Sequence, residues 1–402
     1  MKIVRNVFGS AKEVYLGIIL FFALILPHTS MSFQLVVPIM FLSLMLTKRK
    51  FVIENYVLFP IIAIIFSLML NSGGAVSDKS VLTASSIFLC LLSFPLVSNA
   101  KIKNVYIYVC FSLIFISQIC YIYHWESIIS IINEYYPISW NERGIENMIK
   151  NINQENVFSF RLGGLYRNPN HCAKYVSLLL AIYFVNNKES SIIKQFLFVA
   201  ICYYSILLSG SRTGFLVSSA LILFALYQNK QTKNGFRIIL TIIVVVLLYY
   251  NVFSEQVFRG TLVQEGMGNS AGAKYRLFKE YFLNENSYAY LLFGHFDMSL
   301  FQSVKSYSLD AEYGYIIYCY GLIGFLAFGI ALWKIYQKIE KQNKFFFVVL
   351  FWMISSSIFM SFRTVFVFTL LLSTIYEANC NQTNSKWKKV RLLRKLSDNP
   401  NI

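Results

Sequence analysis

Long apolar stretches alternate with short basic clusters along this chain, and that alternation predicts its elements. About 20 apolar residues in a row cross a bilayer as a helix. Twelve such stretches occur, at 12–28, 32–47, 56–70, 80–98, 105–124, 171–187, 191–208, 213–228, 237–253, 311–332, 345–362 and 364–379. The shortest of them need local thinning of the bilayer or help from flanking residues. No small-residue cleavage site follows Leu26, so the first stretch reads as a retained span. The predicted fold is all-α: a polytopic membrane helical bundle of about 12 spans.

Charge then fixes an orientation. The chain has 36 Lys and Arg against 19 Asp and Glu, a net charge of +17. With the N-terminus placed in the cytoplasm, the outer connections balance basic against acidic residues. The whole excess then falls on the inner side, as the positive-inside rule requires. Inner connections are short and basic: Lys48-Arg49-Lys50, Lys101 and Lys103, Lys188 and Lys194, Lys230 to Arg237, and Lys334 to Lys344. The tail 380–402 carries the densest basic run, Lys386 to Lys395, and reads as an inside anchor.

Composition agrees. Charged residues are 14% of the chain and hydrophobic ones 56%, with a mean hydropathy of +0.55. Soluble globular chains carry about 25% charged residues. The basic residues lie in short runs between apolar spans and form no single patch, which argues against nucleic-acid binding and for anionic-lipid contacts. The seven Cys show no CxxC or Cys/His spacing, and no pair falls in the outer connections, so neither a structural disulfide nor a zinc site is expected.

Residues 1–402 read as one integral membrane domain with two long outer connections, 125–170 and 254–310. Loops of this length in a compact protein are usually functional or disordered. Ser127 to Tyr136 and Ala273 to Leu283 have the pattern of amphipathic surface helices, so a helical external cap is expected.

No phosphate-binding loop, GxGxxG or HExxH occurs, and the four His are scattered. No nucleotide or other cofactor is expected. A bond-forming reaction on the outer face must then use a substrate with its own activated bond, such as a lipid-linked diphosphate sugar. No Asp-x-Asp occurs, and the first outer connection around Pro27 to Ser30 has no carboxylate. That argues against a metal-dependent membrane glycosyltransferase with acidic ligands in its first outer loop.

Arginine on the outer face runs against the insertion bias, so each one there needs a reason. Arg161 and Arg167 frame a segment containing Gly163, Gly164 and Asn168-Pro169-Asn170. Arg212 lies in Ser209-Gly210-Ser211-Arg212-Thr213-Gly214, and Arg363 in Ser361-Phe362-Arg363-Thr364. Arg276 lies on the amphipathic stretch of the second long connection. A guanidinium offers a planar fork that matches phosphate oxygens two at a time. Snorkelling to headgroups is the simpler use of a lone Arg. Around Arg212, the small residues Gly210, Ser211 and Gly214 allow close backbone approach at a helix start, a phosphate-binding arrangement. Pro169 suits a first helical turn, with Asn168 as its cap.

At these residues the chain resembles a family. The segment Arg161 to Asn170 is similar to the one preceding the middle helices of bacterial O-antigen polymerases and O-antigen ligases. Leu208 to Gly214 resembles that family's second signature. Arg276, Leu292-Phe293-Gly294-His295, Asp310-Ala311-Glu312-Tyr313 and Tyr320 to Gly324 follow the order of its third region. The likeness covers roughly 160–325. Ligases usually show a His-Asn pair before the late helix. This chain has Asp310-Ala311 there, which leans towards a polymerase.

The resemblance implies a metal-independent glycosyltransferase. It would join oligosaccharide repeat units carried on undecaprenyl diphosphate, on the periplasmic face of the bacterial inner membrane, with inversion at the anomeric centre. Arg212 and Arg276 are then expected on the leaving diphosphate, with Arg161 and Arg167 as further candidates. Asp310 is the first candidate base for the acceptor hydroxyl, Glu312 the second and His295 the third. Asp310 could instead only cap the helix that follows it. A chain-length regulator and a flippase are the expected protein partners. An O-antigen ligase, or a lipid-linked oligosaccharide flippase, is the alternative. Flippases of that kind are built from two similar halves with short loops, whereas this chain shows no internal repeat and two long outer connections.

Both termini are therefore expected in the cytoplasm. Reporter fusions at Asn147 and Gly268 should report an external location, and a fusion after Lys233 a cytoplasmic one. A cytoplasmic signal from Gly268 would sink this topology.

Overall fold

The structure is a computed structural model that describes residues 10–27, 31–46, 54–71, 76–97, 101–135, 162–166, 168–187, 192–228, 234–249, 288–296, 312–339, 341, 343–354 and 358–375. Among these residues every regular element is helical. The helices are α1 (Ala11–Ile25), α2 (Met31–Leu46), α3 (Asn55–Leu70), α4 (Asp78–Val97), α5 (Asn104–Ile122), α6 (Glu126–Tyr135), α7 (Pro169–Asn186), α8 (Ile192–Ser209), α9 (Arg212–Gln228), α10 (Asn234–Leu248), α11 (Tyr288–Phe293) and α12 (Glu312–Lys338). A 3-10 helix, Lys344–Ile354, and a last helix α13 (Phe362–Ile375) follow.

The predicted stretches from 12–28 to 213–228 each coincide with one of these helices to within a few residues. Two helices, Asn104–Ile122 and Glu312–Lys338, are long and apolar enough to cross a membrane. The other apolar helices are shorter, 10–17 residues over their described side chains. The amphipathic stretch from Ser127 is helix α6. It buries Ile132 against Tyr121, Leu162 and Leu165, and Asn133 Oδ1 accepts from the Tyr121 hydroxyl at 2.8 Å. The second amphipathic stretch, Ala273 to Leu283, lies outside the described residues.

Helix starts follow local chemistry. Ser10 and Glu13 form a reciprocal capping box at α1, with the Ser10 N–H donating to Glu13 Oε2 at 2.6 Å. Asn168 caps α7, its Oδ1 accepting from the Asn170 N–H at 2.9 Å, and Pro169 takes the first helical position. Helix α7 is the centre of the bundle. Cys172 to Phe184 are buried without a break, against α5, α8, α9 and the 3-10 helix. Helix α13 is likewise buried through most of its length, and Phe366 meets Phe41 of α2 with ring centroids 4.6 Å apart.

Two late elements depart from the hydropathy reading. The stretch 311–332 becomes α12, which runs on to Lys338, where the ammonium pairs with Glu54 at 2.8 Å and lies over the Tyr56 ring. It is kinked at Gly321, with φ 69° and ψ −174°. The carbonyls beside the kink find outside donors. Tyr318 O accepts from His295 N–H at 2.8 Å, and Cys319 O from Phe296 N–H at 2.9 Å and Ser67 Oγ at 2.5 Å. The segment 294–296 thus serves as the missing half of the α12 backbone.

The stretch 345–362 is not one α-helix. It forms the 3-10 helix and then a buried non-helical run, 358–361, before α13 begins. Hydropathy registers only that these residues are apolar, and 3-10 and α-helices bury apolar residues alike. At about 2.0 Å per residue, eleven 3-10 residues reach about 22 Å, where an α-helix would reach about 16 Å.

Gly321 occupies a backbone region open to glycine alone, and a Cβ there would fall on the Leu292 carbonyl. Gly321→Ala should lower stability by about 1–3 kcal/mol from the backbone term alone. Gly329, on the same helix, has nothing within 4 Å of its would-be Cβ, so Gly329→Ala should be silent. Thermal unfolding in detergent checks the contrast, and equal unfolding temperatures for the two variants would contradict the kink.

Candidate functional site

The two signature segments meet. The Leu162 N–H donates to Leu208 O at 2.9 Å, which joins the turn before α7 to the end of α8. Gln118 of α5 sits between them. Its Nε2 donates to Leu162 O at 3.0 Å and to Ser205 O at 3.1 Å, and its Oε1 accepts from Ser205 Oγ at 2.6 Å. Ser117 Oγ accepts from Leu165 N–H at 3.1 Å. Neither side chain was singled out in the sequence. The available signal was two polar residues in the middle of an apolar helix.

The small residues of both signatures are used for packing. Gly164 has φ +59°, and a Cβ on it would fall on Ser117 Oγ. A Cβ on Gly163 would fall on Tyr166 O. Gly210 has φ +59° and ends α8, its N–H donating to Leu207 O at 3.0 Å. A Cβ on Gly214 would lie 2.8 Å from Ala173 Cβ, so Gly214 sets the close crossing of α7 and α9. Ser209 and Ser211 are buried, and Ser211 Oγ accepts from the Gly214 N–H at 3.3 Å. The space beside Gly163, Gly164 and Gly214 is thus taken by their own turn, by α5 and by α7.

Arg212 opens α9 and is half-buried. Helices α7, α9, α12 and α13 are tied together near their first turns. Gly214 lies against Ala173, the Tyr175 hydroxyl bonds Thr364 Oγ1 at 3.1 Å, and Glu312 Oε1 accepts from Met360 N–H at 2.7 Å and from Phe359 N–H. Four helix N-termini, each carrying about half a positive charge, therefore share one end of the bundle.

Three ionisable side chains lie just beneath. Lys174 and Glu312 are fully buried and Arg363 is 2% exposed. Lys174 and Glu312 act electrostatically on each other. Tyr166, in the first signature turn, donates its hydroxyl to Leu24 O at 3.0 Å and packs on the Tyr175 ring. Burial pushes the Tyr166 phenol well above its ordinary range, Tyr175 adds to the rise, and the Arg363 charge opposes it.

Of the candidate residues, Arg161, Arg167, Arg276 and Asp310 lie outside the described residues. Glu312 opens α12, and its burial and two backbone donors leave it unsuited to meet an acceptor hydroxyl. His295 is stacked between Tyr290, at 4.3 Å and 15°, and Tyr318, at 5.0 Å and 28°. Both faces of its ring are therefore covered. Lys174 was not singled out in the sequence, although an ionisable residue inside an apolar helix is itself a functional signal.

No protein-family model matches the chain, and no curated protein matches it.

Gln118 makes three buried hydrogen bonds that tie the first signature turn to the last turns of α8. Gln118→Leu leaves their partners unsatisfied in an apolar interior and should cost about 1–3 kcal/mol. The check is thermal unfolding of the purified protein, and an unchanged midpoint would show that the turns dock without it.

Proposed function

We propose that this protein is a multi-pass glycosyltransferase of the bacterial inner membrane that polymerises lipid-diphosphate-linked oligosaccharide repeat units, in the manner of an O-antigen polymerase. The observation that carries the reading is the shared end of α7, α9, α12 and α13. There the two signature turns, the half-buried Arg212 and the buried Arg363 come together beside converging helix N-termini. Such an end favours anions.

A bundle with about 12 spans, both termini cytoplasmic, accounts for the outward residues. Ile238, Ile239 and Ile242 on α10, Phe59 and Met69 on α3, and Leu326 and Trp333 on α12 are all exposed. Apolar faces of this kind are matched by lipid tails. In this topology α7, α9, α12 and α13 all begin on the periplasmic side, where the reaction is placed.

In the proposed step, a hydroxyl oxygen of the acceptor sugar attacks the anomeric carbon of the donor glycan. The bond from that carbon to the lipid diphosphate breaks, and the diphosphate departs with the electron pair. The hydroxyl proton passes to a base. Preorganised cations lower the barrier by meeting charge as it develops on the leaving group. Arg212 and Arg276 take that role, with Arg161 and Arg167 as further candidates. Asp310 is the base of choice, since Glu312 is sealed and the His295 ring faces are occupied. No nucleotide or metal enters the scheme.

The test supplies purified protein with the lipid-linked oligosaccharide that accumulates when its gene is deleted. A ladder of products should form with chelator present and without nucleotide. A single transfer to another acceptor would indicate a ligase, and movement across the membrane without new bonds a flippase. Arg212→Ala should abolish long products at normal protein level, and Arg212→Lys should not fully rescue, because an ammonium lacks the bidentate fork. Asp310→Asn keeps a capping oxygen but takes no proton at neutral pH, so it should lower the rate by roughly 10²-fold or more. A wild-type ladder from either Arg212→Ala or Asp310→Asn would remove that residue from the mechanism.

A further inference from the structure

Lys174 and Glu312 form a charged pair that the proposed chemistry leaves unused. Both are fully buried within the bundle. Burying an ionised group is costly unless it is paired and hydrogen-bonded. Apolar side chains of similar volume are usually at least as stabilising as such a pair. Filling space is therefore a poor reason for it. An apolar side chain cannot, however, accept a hydrogen bond.

The backbone at 358–361 leaves helical geometry inside the bundle. Non-helical backbone at membrane depth persists only where its polar groups are met. Glu312 Oε1 meets the Phe359 and Met360 N–H groups, and its charge faces that of Lys174. One carboxylate thus joins the start of α12 to the run leading into α13, and Lys174 of α7 acts on it electrostatically. Each of these elements carries a member of the proposed site. Asp310 lies two residues before Glu312, within about 7 Å of chain. Arg363 lies three residues after Met360. Asn168 to Asn170 open the helix that carries Lys174.

We propose that Glu312 is a positioning residue, whose carboxylate clamps the 358–360 backbone and so fixes the start of α12 and Arg363 relative to one another, with Lys174 within its electrostatic reach. This rests on the glycosyl-transfer reading for its effect on rate, though not for the clamp itself. A purely electrostatic pair would need only opposite charges. A clamp needs an oxygen that accepts two N–H groups, and an amide oxygen also provides one.

Two double variants of the full chain separate these roles. Lys174→Met with Glu312→Leu removes the acceptor, whereas Lys174→Met with Glu312→Gln keeps it. Neither leaves a buried charge unpaired within the couple; the Gln variant should unfold near the wild-type temperature, and the Leu variant, which strips the acceptor from two buried N–H groups, at a lower one while still inserting. In the polymerisation assay, the Leu variant should lose roughly 10²-fold in kcat with KM for the lipid-linked donor unchanged, as misplacement of reacting groups predicts. The Gln variant should regain most of that loss. A wild-type kcat in the Leu variant, or equal losses in both, would overturn the proposal.

A second readout needs no activity. Asp310→Cys placed in each background is labelled with a membrane-impermeant maleimide, against the same background without it. The Leu variant should label about tenfold faster as its local opening becomes easier, and the Gln variant at the wild-type rate. Equal labelling in all backgrounds would also overturn the clamp. If wild-type protein forms no ladder, the glycosyl-transfer reading falls, while the labelling still decides the clamp.

Discussion

Backbone polar groups inside an apolar bundle must be met from within, and this constraint organises the late third of the chain. Besides the 3-10 helix, two places there depart from regular α-helix among the described residues, the kink of α12 at Gly321 and the run at 358–361. Each is met by a different device. At the kink, a short segment from a distant part of the chain donates His295 and Phe296 N–H groups to α12 carbonyls. At the second break, a single carboxylate accepts two N–H groups. The first device is neutral, while the second places an ionisable carboxyl group in the interior, within the electrostatic reach of Lys174.

The same logic explains why the glycines of the signature segments do not line an open cradle. The missing side chains of Gly164 and Gly214 let the first turn sit on α5 and let α7 cross α9 closely. That turn is then held by Gln118 and Ser117, whose hydrogen bonds are buried and fully committed. Rigid turns at a helix end are what a site for a developing negative charge needs, since donors and cations that do not reorganise contribute most. Glycine here acts on geometry at one remove: it fixes the frame from which Arg212 emerges.

The placement of charge also separates roles that sequence order alone leaves merged. Asp310 and Glu312 are near neighbours in the chain, yet Glu312 turns inward to the 358–360 backbone. Arg212 is half-buried at a helix start, whereas Arg363, at the start of α13, is sealed beside Tyr166 and shapes the field from below. His295 carries out a backbone task and has its ring held between two tyrosines. A polar end of this kind, over an apolar body, suits a substrate with a diphosphate head and a lipid tail.

Much of the helical layout is determined by the sequence alone, because apolar length and basic flanks are local properties that each segment carries by itself. Asn168-Pro169 at the start of α7 and Ser10 with Glu13 at α1 are local signals of the same sort. The 3-10 helix, the kink at Gly321 and the clamp at Glu312 were decided only by tertiary structure. Hydropathy records whether a residue is apolar, and the residues of a broken helix are as apolar as those of a whole one. Which N–H groups lose their partners, and which distant carboxylate or serine answers them, depends on contacts across more than 40 residues of sequence, as between Glu312 and Met360. The same holds for Gln118 and Lys174. Each is a lone polar residue in an apolar run, and only packing shows that one ties the first signature turn to α8 and the other lies within electrostatic reach of a buried carboxyl group.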